Sequence, residues 1–181
     1  MSEGDGMYCA FFGFREKPFN IVPDPSFLYP SARHRMALTY LEYGLSENIG
    51  FILLSGEIGT GKTTLVRHLI SKLKKNMDTA VIFNTNVTAD QLIKQILREL
   101  EIQVCEEDKT ENLDRLNEFL ITRYSRNRRV LLIIDEAQNL DMASLEEVRM
   151  LSNLQTRRES LLQIMLVGQP ELRIKIKDPG L

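Results

Sequence analysis

The stretch Gly56-Glu57-Ile58-Gly59-Thr60-Gly61-Lys62-Thr63 limits the folds open to this chain more than any other part of it. It reads G-x-x-x-x-G-K-[ST], the pattern of a phosphate-binding loop. Its flanks fit that pattern. Phe51-Ile52-Leu53-Leu54-Ser55 is a short apolar run suited to a buried strand, and Leu65, Leu69 and Leu73 recur at helical spacing behind it. Each part has a chemical reason. Glycines let backbone N–H groups curl around phosphate oxygens without a Cβ in the way. A helix N-terminus adds free N–H groups and the positive end of its dipole. Lys62 reaches the β- and γ-phosphates as a point charge, and the Thr63 hydroxyl can ligate Mg²⁺. The expected contacts to ATP are Gly56, Glu57, Ile58, Gly59, Thr60, Gly61, Lys62, Thr63 and Thr64.

A phosphate loop needs an acidic partner. Val130-Leu131-Leu132-Ile133-Ile134 is an apolar run leading straight into Asp135-Glu136. Asp135 can hold Mg²⁺ beside Thr63, directly or through water. Glu136 is then free to orient and polarise an attacking water. A further apolar run, Gln163 to Val167, ends at Gly168-Gln169-Pro170, where Gln169 could sense the γ-phosphate. Lys62, Glu136 and Gln169 are therefore the catalytic candidates, and Thr63 and Asp135 the metal ligands. Ala80-Val81-Ile82-Phe83 supplies one more strand. Unbroken apolar strands alternating with helices predict an α/β fold, a parallel sheet covered on both faces. Ligands bind such sheets at the carboxyl ends of the strands, where all three polar clusters fall.

The helices carry their own signals. Ser31 is a plausible N-cap for a helix to about Leu45, with Met36, Leu38, Leu41 and Leu45 available for burial. Thr88 and Gln91 form a capping-box pattern ahead of Leu92, Ile93, Ile96, Leu97 and Leu100. Leu113, Leu116 and Leu120 mark a helix over about 110–124, and Asp141 opens another with Leu145, Val148, Leu151 and Leu154. Residues 74–79 read as a polar break, and 101–109 as a polar linker. Arg123, Arg126, Arg128 and Arg129 read as a solvated helix end. His34 and His68 lack metal-ligand spacing, and Arg173, Lys175 and Lys177 read as an exposed face.

Ahead of these lies an arm rich in proline and aromatic residues, including Phe14, Pro18, Phe19, Pro23, Pro25, Phe27 and Tyr29. Pro residues at this density exclude a continuous helix. Either the aromatics pin the arm to the core, or the part from Phe19 to Tyr29 walls a base pocket, with Tyr29 against the nucleotide. The two readings can coexist. The expected division is an arm and first helix over 1–47 and a nucleotide-binding core over 48–181.

The 181 residues carry a net charge of −2, which gives no global attraction to nucleic acid or an anionic membrane. Cys9 and Cys105 make no disulfide framework, which fits a reducing cytoplasm. The N-terminus shows no secretory signal pattern, and no apolar run reaches the ~20 residues of a membrane span.

The chain resembles AAA+ ATPases, within the ASCE-type P-loop NTPases. More narrowly it resembles the general secretion pathway protein A family, the ExeA-like ATPases of type II secretion. Six stretches carry the likeness: 14–19, 23–25, 27–29, 56–64, Ile134-Asp135-Glu136-Ala137-Gln138-Asn139-Leu140, and Leu166-Val167-Gly168-Gln169-Pro170-Glu171-Leu172-Arg173. Exosortase-associated and DNA-transposition-helper ATPases share many of them. The resemblance implies ATP hydrolysis with Mg²⁺ at the cytoplasmic face of the inner membrane, and self-association into a ring. It also implies a membrane partner with which the secretin is placed. Peptidoglycan binding belongs to a family region that this chain does not include. The chain stops at Leu181, before the stretch where the family carries its last strand, its helical lid and arginines acting on a neighbour's nucleotide. Two alternatives stay open at this point, a DNA-transposition helper and a nucleotide switch that does not hydrolyse. The net charge and the lack of a recognisable DNA-binding module make DNA the less expected partner.

Overall fold

In a computed structural model the described residues are 9, 11–13, 30–73, 77–156 and 159–177. Four strands, β1 (Phe51–Ser55), β2 (Met77–Ile82), β3 (Arg129–Ile134) and β4 (Leu162–Gly168), form one sheet in the order β1-β4-β3-β2. All pairs are parallel, with Leu53 opposite Leu166, Ile133 opposite Met165 and Ala80 opposite Leu132. The expected α/β fold class is what the structure shows.

Successive residues of a strand face opposite sides of the sheet, and both sides here are covered. On one face Leu131, Ile133, Met165 and Val167 pack against helices α1 (Ala32–Ser46) and α2 (Lys62–Lys72), through Leu38, Leu41, Leu45, Leu65 and Leu69. On the other, Val130, Leu132, Ile134, Ile164 and Leu166 meet α3 (Ala89–Glu99), α4 (Lys109–Ser125) and α5 (Met142–Ser152). That double burial is why β3 reads as an unbroken apolar run. Cutting one of these side chains back to alanine costs roughly 2–5 kcal/mol.

Caps set the helix starts. Ser31 Oγ accepts from His34 N at 3.2 Å, and the Thr88–Gln91 capping box closes in both directions. Asp108 caps α4 and Asp141 caps α5. The segment 101–109 is more than a polar linker. Ile102 and Val104 pack on the core, and buried Asn112 exchanges two hydrogen bonds with the Cys105 backbone, at 2.8 and 2.7 Å.

Five expectations are corrected. Met36 is 60% exposed, because it lies two residues from Leu38 and so on the opposite side of α1. Phe83 is 56% exposed, because β2 ends at Ile82 and the chain leaves the sheet there. β2 begins at Met77, inside the expected polar break, because Asp78 has partners. Arg128 Nε donates to its carboxylate at 3.1 Å and Arg123 stands 3.2 Å away as an ion pair. Arg129 donates to the carbonyls of Leu45 and Ser46 at 2.8 and 3.1 Å, so three of the four arginines are engaged within the fold rather than forming a solvated end. Finally, β1 is an edge strand of the described sheet, and Leu53 is exposed rather than buried.

Candidate active site

The loop 56–61 joins the carboxyl end of β1 to α2. Gly56 N–H donates to Gly168 O at 3.2 Å, which ties the loop to the end of β4. Gly59 and Gly61 hold φ of +75° and +78°, a conformation open to glycine and strained for other residues. Gly61 precedes α2 with no side-chain cap, so the first N–H groups of that helix remain available to an anion. The Lys62 ammonium lies against the loop, donating to the carbonyls of Gly56 and Glu57 at 2.8 and 3.0 Å. Thr60 Oγ1 donates to Glu57 O at 2.8 Å and closes the turn from within.

The acidic pair meets this loop across the sheet. Asp135 N–H donates to Ile82 O at 2.9 Å, extending the β2–β3 ladder one residue past β3. Asp135 is buried, with 3% of the residue exposed, and its Oδ2 accepts from the Thr63 hydroxyl at 2.7 Å. Its Oδ1 accepts from the Glu136 N–H at 2.9 Å. Hard oxygen donors brought together in this way fit Mg²⁺, which takes one or two protein oxygens and leaves the rest to phosphate and water.

Glu136 adopts a left-handed backbone, φ 51° and ψ 37°, at the turn from β3 into a short 3₁₀ helix, Ala137–Asn139. Non-glycine residues held there are uncommon and cluster at functional sites. Buried Thr85 donates to Glu136 O at 3.0 Å and supports the turn. Gln138 Nε2 donates to Glu136 Oε2 at 2.6 Å, while Gln138 Oε1 accepts from Gln169 N–H at 3.1 Å. One amide thus joins the ends of β3 and β4.

Two cavities flank the loop. One, about 370 Å³, brings Lys62, Thr63, Thr64, Glu136 and Gln169 to a common space. The other, about 660 Å³, lies between the loop, the first turns of α1 and the helix α6 (Pro170–Ile176), with His34, Ala37, Pro170 and Arg173 on its walls. Tyr29 lies outside the described residues, as does the rest of the arm from 14 to 29. A third cavity, about 430 Å³ among Leu45, Leu69, Leu73 and Met77, opens at the opposite end of the sheet.

Three residues gain a place the sequence did not assign. His34 Nε2 contacts Thr60 O at 2.8 Å. Arg173 is exposed as expected, yet it lines the larger cavity. Lys175 is a correction. It is half-buried, not part of an exposed face, and donates to the carbonyls of Gln138 and Leu140 at 2.6 and 2.9 Å. Nothing in the spacing of His34 marked it, whereas Gln138 stood inside the Asp135–Leu140 stretch that carried the resemblance.

A family model described as an AAA domain matches residues 46–176. The chain belongs to the AAA domain family. This AAA domain is 41% identical over 177 residues to General secretion pathway protein A of Aeromonas hydrophila. The match covers 96% of the chain and 32% of that relative, so the chain spans about a third of its length. Among solved structures, the Aeropyrum pernix ORC2 protein in its ADPNP-ADP complexes superposes with a TM-score of 0.66 at 17% identity, over 90% of this chain and 47% of that one. Cdc6p from Pyrobaculum aerophilum follows with a TM-score of 0.58 at 22% identity, over 88% and 46%. At these identities the two structures establish the AAA fold alone. The likeness to AAA+ proteins and to general secretion pathway protein A, drawn above from motifs, is thus shown.

Proposed function

We propose that this AAA domain binds ATP with Mg²⁺ and hydrolyses it. The observation that carries the reading is the 2.7 Å contact between Thr63 Oγ1 and Asp135 Oδ2, with Glu136 opening into the same cavity as Lys62. Thr63 and Asp135 would hold the ion, which when bound neutralises charge on the β- and γ-oxygens. The loop N–H groups and Lys62 bind the phosphates. Glu136 orients the attacking water and takes its proton. Gln169 faces the same space from the end of β4, placed to read the γ-phosphate.

The 41% identity supports a role in a general, type II, secretion pathway. There the domain works at the cytoplasmic face of the inner membrane, self-associates and acts with a membrane partner in placing the secretin. Among the described residues no helix is long and apolar enough to cross a membrane. The engagement of Arg123, Arg128 and Arg129 within the fold counts against the DNA-helper reading.

Steady-state MgATP turnover across a range of protein concentrations, with Glu136→Gln beside it, tests the proposal. Specific activity that climbs with concentration is expected, and Glu136→Gln should bind nucleotide without turning it over. Wild-type turnover by Glu136→Gln would remove Glu136 from the reaction.

A further inference from the structure

His34 belongs to α1, well before the phosphate loop in sequence, yet its imidazole touches the loop backbone. Nε2 lies 2.8 Å from the carbonyl oxygen of Thr60. A carbonyl only accepts, so Nε2 must carry the hydrogen. Among the described residues Nδ1 is buried without a hydrogen-bond partner. The contact with Thr60 thus fixes Nε2 as the donor end of the ring.

This bond fixes more than one oxygen. Across a planar trans peptide the C=O of one residue and the N–H of the next point in opposite directions. Holding the Thr60 carbonyl toward α1 therefore aims the Gly61 N–H away from α1. Gly61 has φ +78°, where few local forces select one orientation of the peptide before it. The ring also packs on Gly61 itself, since a Cβ there would meet His34 Nε2 at 3.5 Å and Cε1 at 3.8 Å. α1 is in turn anchored by the Ser31 cap and by Leu38, Leu41 and Leu45 in the core.

We propose that His34 is a positioning residue for phosphate binding, holding the Thr60–Gly61 peptide so that the Gly61 N–H faces the nucleotide phosphates. The inference rests on the nucleotide-binding reading above.

The test measures dissociation constants for MgADP and MgATP, with melting temperatures of the ligand-free proteins alongside. His34→Phe keeps the ring's bulk and removes the donor, and His34→Gln keeps an N–H donor on a side chain of similar reach. His34→Phe should weaken both nucleotides by roughly three- to tenfold, the worth of one hydrogen bond. His34→Gln should restore affinity to within about twofold, with melting temperatures close to wild type in both. In ¹⁵N-labelled protein the shift of the Gly61 amide on adding MgADP should shrink in His34→Phe and return in His34→Gln. Wild-type affinity in His34→Phe, or no recovery in His34→Gln, overturns the proposal. Lys62→Ala separates the two levels. If it binds normally, the nucleotide-binding reading itself fails. If it loses binding while His34→Phe does not, only the role of His34 falls.

Discussion

The side-chain amide of Gln138 donates to Glu136 Oε2 at 2.6 Å. The other end of that amide accepts from Gln169 N–H, and the Gln138 backbone carbonyl accepts from Lys175. The carboxylate proposed as the base is thus oriented by a group locked at three points. Gln138→Leu should lower turnover by about ten- to a hundredfold, as misplacement of a reacting group by around 1 Å does. Nucleotide affinity should stay within about twofold. Measured kcat and dissociation constants decide it, and an unchanged kcat would mean that the amide does not orient Glu136.

Gly168 sits under the same amide. A Cβ at this position would stand 2.6 Å from Gln138 Oε1 and 2.9 Å from Leu172 Cδ2. Gly168→Ala must therefore push Gln138 away or shift the strand end. Overpacking of this kind costs roughly 1–3 kcal/mol, readable by urea denaturation. Turnover should fall alongside, as in Gln138→Leu.

Thr63→Ala removes one proposed ion ligand and the donor to buried Asp135. The Mg²⁺ concentration for half-maximal turnover should rise by roughly 10- to 100-fold. A titration of turnover against Mg²⁺ at fixed ATP reads this directly. An unmoved midpoint would leave the ion with Asp135 alone.

Asp78 holds Arg123 and Arg128 together at the start of β2. Asp78→Ala leaves two guanidinium groups without their shared acceptor. The urea midpoint should therefore fall while nucleotide affinity is unaffected.

The Ser144 hydroxyl, then its backbone N–H, hold the Asp141 carboxyl below its ordinary value near 3.8, against the opposing pull of partial burial; Lys175 adds a smaller attraction. A depressed folded value stabilises the protein fully above the unfolded value and loses that contribution as pH falls through the folded one. Wild type should therefore lose stability more steeply below pH 3.8 than Asp141→Asn, which keeps a capping side chain but does not titrate. Parallel stability curves for the two proteins from pH 5 to pH 3 would contradict this assignment.

What the sequence made legible was local or periodic. The loop from Gly56 to Thr63, the apolar run into Asp135 and the Thr88–Gln91 box are all contiguous patterns, and each lies where its pattern implied. β1 misled because a strand's apolar content does not reveal whether it lies at the edge or the centre of a sheet. The arginines before β3 were misread because their partner, Asp78, is about fifty residues away and speaks only once β2 and β3 lie side by side. His34 and Lys175 were invisible for the same reason. Each acts on a backbone carbonyl, and no residue type identifies a carbonyl as a partner.

Helix α6 spans only Pro170 to Ile176, and two of its residues serve different sides of the site. Arg173 borders the larger cavity, and Lys175 grips the carbonyls of Gln138 and Leu140. Residues two apart on a helix lie about 200° apart around its axis. The two cations therefore leave opposite sides of one short helix, so the same two turns that present Arg173 to the cavity also fasten the chain that follows Glu136.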